Sequence, residues 1–163
     1  FRTDGMVSHI GWQDSDRVIA YCRVPIFDDK YILFKVCDPN ATRVLGSRTL
    51  TSDGHPSFEK NGRWFVTDTY PDRQRVQNLI LFDTTKEEKY CLAKLTSSKK
   101  FQSPSPVRHW ACDLHPRWNR FGNQICFDSV FNGNRSLCTM NLGNDLLDGT
   151  VKSIWGDFWK RVE

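Results

Sequence analysis

The sequence predicts an all-β protein built of repeated four-stranded antiparallel units, about three of them in its 163 residues. Three observations predict it. The chain aligns with itself three times, and almost no segment has a helical 3.6-residue period. Short apolar stretches also recur between polar turns, repeating every roughly 45 to 60 residues. Units of this size and content are β-propeller blades of four antiparallel strands rather than helical repeats.

The aligned segments are His9–Cys22, His55–Asp68 and His115–Asp128, matched without a gap. Each runs histidine, an aromatic three residues later, a turn and then a strand. The aromatics Trp12, Phe58 and Trp118 are of a size to fill space between packed sheets. Gly62 and Gly122 supply the positive φ of a tight hairpin, and Asp16 takes that place in the first copy at a conformational cost. A third strand follows in each unit, over Tyr31–Val36, Asn78–Asp83 and Ser136–Asn141, and a weaker fourth near Thr42–Leu45, Tyr90–Leu95 and Val151–Trp155. The stretch Thr96–Arg108, rich in Ser, Lys and Pro, reads as a surface loop, and Trp155–Arg161 is too short to assign. The predicted organisation is a single partial propeller over residues 1–163, with blades at approximately 7–53, 54–112 and 113–155. Propellers close with about four to eight blades. The missing blades are expected from a longer chain or from self-association.

A hydrophobic fraction of 39% with 26% charged residues fits a globular protein. No apolar run of about 18 residues exists, so no helix is expected to enter a membrane. The net charge of +4 is spread along the chain without a basic tail, so a nucleic-acid partner is not expected. The beginning, Phe1-Arg2-Thr3-Asp4-Gly5, has no initiator Met and no signal pattern, which suggests a piece of something longer. It fixes no compartment, although the reading leans extracytoplasmic. The six cysteines form no CxxC pair and are expected to be mostly free and buried. Cys22 with Cys37, and Cys126 with Cys138, share predicted hairpins and could bridge if the register allows.

Three of the four histidines, His9, His55 and His115, occupy one register of the repeat. Equivalent positions on inner strands converge on the propeller axis, and converging imidazoles suit a transition metal. Cys112, three residues before His115, adds a thiolate, so His9, His55, Cys112 and His115 form a candidate set that fits Zn²⁺ best. Two other readings stand beside it: a structural role in which the ring N–H groups bond neighbouring blades, and a metal-free catalytic cluster. Arg117, Arg73, Arg75 and Arg108 could pair with the carboxylates or sulfates of an anionic glycan, or form salt bridges. Tyr70 and His109 are candidates for proton transfer or for packing, and Trp110 for stacking on a sugar. Asp68 and Asp128 share a point of the frame, which favours a structural turn or an inter-blade hydrogen bond.

The segments Asp53–Phe58, Val66–Asp72 and Cys112–Trp118 resemble blades of TolB-like propellers, and more particularly of the seven-bladed polysaccharide lyases of the oligogalacturonate and ulvan lyase types. The similarity runs from about Val7 to Leu142. By resemblance to the oligogalacturonate lyases, which hold Mn²⁺, His55 and His115 are metal ligands and His9 is the base. Where that family has a Gln and a second His, this chain has Cys112 and Arg117, a softer set that points from Mn²⁺ toward Zn²⁺. In the ulvan-lyase type the resemblance implies a structural Zn²⁺, with the elimination performed by His, Tyr and Arg on blades that would precede Phe1. The implied function is β-elimination on a uronate-containing polysaccharide or oligosaccharide, with His9 and Arg117 catalytic. The alternative is a non-catalytic TolB-like scaffold or binding module with a structural metal.

Overall fold

The computed structural model of the chain describes residues 5–25, 28–105, 107 and 110–143. The expected strand near Val151–Trp155, the stretch 155–161, and Arg108 and His109 lie outside them. The described residues form three antiparallel sheets in chain order. The first blade is β1 (Val7–Trp12), β2 (Arg17–Val24), β3 (Asp28–Lys35) and β4 (Asp38–Leu45). The second is β5 (Ser57–Phe58), β6 (Trp64–Asp68), β7 (Val76–Asp83) and β8 (Glu88–Thr96). The third contributes β9 (Arg117–Trp118), β10 (Gln124–Ser129) and β11 (Ser136–Asn141). A single 3₁₀ turn, Lys99–Phe101, lies in the loop after β8. This is a partial propeller. The inner strands β1, β5 and β9 lie side by side. They approach closely: a Cβ added at Gly11 would stand 2.7 Å from the Pro56 carbonyl oxygen.

Alternation at period two sorts side chains to the two faces of each sheet, and neighbouring blades bury their facing apolar sides against each other. Ile19, Tyr21, Tyr31 and Leu33 of the first blade meet Phe58, Phe65, Ile80 and Phe82 of the second. On its other face the second blade presents Trp64, Val66, Leu79 and Leu81 to Ile125, Phe127, Met140 and Trp118 of the third. Each large side chain enclosed this way contributes about 1.5–3 kcal/mol through removal of apolar surface from water. Phe58 and Trp118 fill inter-sheet space as their sequence position predicts, whereas Trp12 is 61% exposed.

The ungapped repeat fails at the first hairpin. Trp12 pairs with Val18, but Phe58 pairs with Phe65 and Trp118 with Ile125, so the first connection is one residue shorter. A one-residue slip reverses every face of a strand. Ile19 is therefore the counterpart of Val66, not of Phe65. Asp16 does not take a positive φ, contrary to the expectation. Instead the Asp14 carboxylate accepts the N–H groups of Asp16 and Arg17, each at 2.9 Å, and closes the turn. The longer turns do use glycine, with φ of +71° at Gly62 and +73° at Gly122. All six cysteines are free thiols, and neither proposed disulfide forms. Phe127, not Cys126, stands opposite Cys138, and Lys30 stands opposite Cys22.

Candidate functional site

The repeated histidines meet where the three inner strands begin. His9 sits at a register shift between Ser8 and Ile10 in β1, a bulge that re-aims its side chain, and it has φ of +39°. His115, just before β9, has φ of +43°. A left-handed non-glycine backbone costs about 1–2 kcal/mol. The surroundings hold it in place: the His115 N–H donates to Asp68 Oδ2 at 3.1 Å.

Asp68, at the end of β6, joins two blades. Its Oδ1 accepts the His55 N–H at 2.7 Å, and its carboxylate lies 2.9 and 3.0 Å from His55 Nδ1. With Asp68 only 1% exposed, these are hydrogen bonds of a buried carboxylate serving its own blade and the next. The inter-blade role expected for this position is present. Gly54 makes the approach possible, since a Cβ there would lie 2.0 Å from the Asp68 carbonyl oxygen. One blade back, Asp53 Oδ1 stands 3.0 Å from His9 Nδ1, which also contacts Ser8 Oγ at 2.8 Å. A carboxylate only accepts, so this bond puts a proton on His9 Nδ1 and leaves Nε2 as the lone-pair nitrogen. Tyr70 Oη is 3.4 Å from that Nε2.

The three imidazoles form a continuous row of tilted rings, with interplanar angles of 55° between His9 and His55 and 38° between His55 and His115. Ring centroids are 4.0 Å apart for His9 and His55, and 3.7 Å for His55 and His115. The Tyr70 ring closes one side, about 6 Å from both His9 and His55. Beside the row runs an open groove of about 440 Å³, lined by the three histidines, Pro56, Pro116 and Arg117. Burial pushes the Tyr70 phenol up to about 12, with Asp53, Asp113 and Asp68 adding to the shift. At His55 burial works to lower the pKa, but the Asp68 hydrogen bond and charge, with Asp113 and Asp53, overcome it and the net shift is upward.

The structure thus brings His9, His55, His115 and Arg117 together and does not bring Cys112 to them. Cys112 is buried, 2% exposed, and does not line the groove. Burial raises its thiol pKa, and its charged neighbours are Arg135, Asp128 and Asp113. Three imidazoles on one tetrahedral Zn²⁺ at about 2.0–2.1 Å must converge on it, which sets ring centres about 5 Å apart. Here the ring centroids are closer, 4.0 and 3.7 Å, although the carboxylates on His9 and His55 Nδ1 leave the Nε2 atoms of both rings open. Among the described residues no three of His, Cys, Asp and Glu are grouped to hold a metal ion. Cys112 stands apart from the groove that the three histidines line.

Three other candidates have different surroundings. Arg75 is engaged by Ser97 and Gln102. Arg73 is exposed, and Trp110 is 51% exposed in the loop before Cys112. The partner that the histidine pattern alone misses is Asp53, which bonds His9 and not the His55 two residues after it, so its spacing in the sequence does not announce the pair.

Two solved structures share this architecture. TolB from Acinetobacter baumannii matches with a TM-score of 0.64 at 14% identity, over 85% of this chain and 30% of that one. The β-propeller domain of the Trilobed protease from Pyrococcus furiosus, described as having an open velcro topology, matches with a TM-score of 0.54 at 9% identity, over 83% of this chain and 38% of that one. At such identities the likeness is one of fold, a TolB-like β-propeller, and the chain spans less than half the length of either. The polysaccharide-lyase part of the resemblance gains nothing from it. No protein-family model and no curated protein sequence matches the chain.

Proposed function

We propose that the inner-strand groove binds a uronate-containing glycan and cleaves it by β-elimination, with His9 as base, Tyr70 as acid and Arg117 neutralising the carboxylate. The observation that carries this reading is the His9–Tyr70 pair. Asp53 orients the His9 ring so that Nε2 faces Tyr70 Oη at 3.4 Å, beside a groove that Arg117 also lines. Neutralising the carboxylate acidifies the C5 proton, which His9 Nε2 accepts. The C5–H electrons form the C4–C5 double bond as the C4–O4 bond breaks. Tyr70, held protonated by its raised pKa, gives its proton to O4. The His9 imidazolium then returns the C5 proton to the Tyr70 phenolate, restoring both groups. No metal takes part in these steps. Zn²⁺ or Mn²⁺ remains a separate proposal from the residue types, and elemental analysis showing well under one equivalent in the purified chain removes it.

Mixing the chain with pectic, ulvan-type and other uronic-acid oligomers is expected to raise the ultraviolet absorbance of unsaturated uronate. His9→Ala and Tyr70→Phe are each expected to lower the rate by about 10²–10⁴-fold, the usual contribution of a positioned acid or base. Arg117→Ala should act mainly through substrate affinity. No absorbance change from the wild-type chain with any member of the panel overturns elimination. The three histidines, with Asp53 and Asp68, would then act as an inter-blade fastening in a non-catalytic scaffold.

A further inference from the structure

The step from the second blade to the third departs from the repeat. Residues 46–56 carry the chain from β4 to β5, whereas residues 97–116 carry it from β8 to β9, almost twice the length for the same step. Connections longer than about 12–15 residues are uncommon in compact domains, and ordered ones are characteristic of binding sites. This one is tied down at several points. Arg75, in the β6–β7 connection with φ of +65°, donates to the Ser97 carbonyl at 2.8 Å and to Gln102 Oε1 at 2.7 Å. The Ser103 N–H donates to the Trp110 carbonyl at 2.8 Å, and the Trp110 N–H donates to Ser103 Oγ at 3.2 Å. Lys100 Nζ reaches the Gly133 carbonyl, in the β10–β11 loop, at 3.2 Å. Val76 pairs with Thr96 and β6 ends at Asp68, so both connections leave the second blade at the end where Asp68 meets His55 and His115. The side chains left outward there are cationic and aromatic. Arg73 and Lys99 are exposed, without a hydrogen-bond or ion-pair partner among the described residues. Tyr70 is 46% exposed and Trp110 51%. Asp72, the acid of residues 69–75, is already engaged, since its Oδ1 accepts the N–H groups of Gln74 and Val76 at 2.9 and 2.8 Å. Residues 97–111 contain no acid.

We infer that these loops form a platform for an acidic polysaccharide extending beyond the groove, with Trp110 stacked on a sugar ring and Arg73 and Lys99 meeting carboxylates of successive units. The sugar-acid class rests on the elimination reading, and what the platform adds is length: a polymer gripped over several units in place of a short oligomer. Trp110 precedes His115 by five residues and so stands within about 18 Å of it, a distance of a few sugar units. Each unit of such a polymer offers an apolar ring face to an indole and a carboxylate to a guanidinium or ammonium group. One exposed cation gains little from one carboxylate in water, so the grip depends on several units binding at once.

Calorimetric titration of His9→Ala with galacturonate dimer, tetramer and octamer tests it without turnover. Affinity is expected to rise at least about tenfold from dimer to octamer. Trp110→Ala, and Arg73→Ala together with Lys99→Ala, should each remove most of that gain when added to His9→Ala. Dimer binding and the unfolding midpoint should stay unchanged, since all three side chains are exposed. With His9 restored, the same substitutions should raise KM for the octamer and leave turnover of the dimer as it was. The gain should also shrink as salt is raised. An octamer bound no more tightly than the dimer overturns the inference, as does a gain that survives Trp110→Ala or the Arg73→Ala, Lys99→Ala pair. Equal binding of neutral maltooctaose, or of a single-stranded oligonucleotide of the same length, overturns it too. Length-dependent binding by a protein that turns nothing over leaves the platform standing and removes only the elimination reading. Turnover of dimer and octamer at equal affinity does the reverse.

Discussion

Asp68 concentrates more of the site's energetics than any histidine. It is buried, it fixes the ring of His55, and it caps the backbone of His115 in the next blade. Asp68→Ala strips partners from several donors at once. The expected loss is about 3 kcal/mol of unfolding free energy, from leaving buried polar groups unpaired, read by urea denaturation. The near-isosteric Asp68→Asn isolates the charge. Because the native pKa of His55 is raised above its ordinary 6.5, protonation favours the folded chain. That stabilisation is fully present below about pH 6.5. It is lost as pH rises through the higher native value. Unfolding free energy followed from weakly acidic to weakly alkaline pH should fall across this window in the wild type and flatten in Asp68→Asn. An unchanged slope would mean that His55 does not depend on Asp68.

At the scale of the element, the turns decide what the sequence reveals. Gly62 and Gly122 announce their hairpins because L residues rarely adopt φ near +70°, and the strands after them follow in register. The first hairpin conceals its shorter length, because the ungapped alignment still sets an apolar residue against an apolar residue on β2. Only pairing, Trp12 with Val18, fixes which face each occupies. The histidine row was legible because repetition places it. The His9–Tyr70 contact was not, since it joins residues 61 apart that share no place in the repeat. Cys112 illustrates the opposite error: proximity to His115 in sequence carries no direction, and the thiol turns into the interior. Gly54 is the element-scale test. It is not in a left-handed conformation, so its requirement is space: Gly54→Ala would set a Cβ against the Asp68 backbone and carboxylate together. A drop in unfolding free energy of more than about 3 kcal/mol is expected, the range of severe steric substitutions. Retention of the wild-type midpoint would show that the 53–55 segment can shift away from Asp68.

At the scale of the whole molecule, the outward faces of the first and third blades are unlike. On the face of the first blade turned from the second, Trp12, Val18, Ala20, Ile32, Phe34 and Val44 share one side of the sheet by their pairing. The corresponding outward side of the third blade carries Arg117, Gln124, Cys126, Asp128, Leu137, Thr139 and Asn141. The first-blade face is itself largely covered within the chain, with Ala20, Cys22, Ile32 and Phe34 only 0–3% exposed. The repeated aromatic measures the difference directly. Trp118 packs on the core between blades and donates its indole N–H to the Ser57 carbonyl at 3.0 Å. Trp12, its counterpart, is 61% exposed. Trp118→Ala is therefore expected to cost about 3 kcal/mol, the lower part of the range for aromatic truncation in a core. Trp12→Ala should cost no more than about 0.5 kcal/mol, as at an ordinary surface site. Urea denaturation of both variants at low protein concentration checks this. Equal losses would mean that in solution Trp12 is covered as Trp118 is.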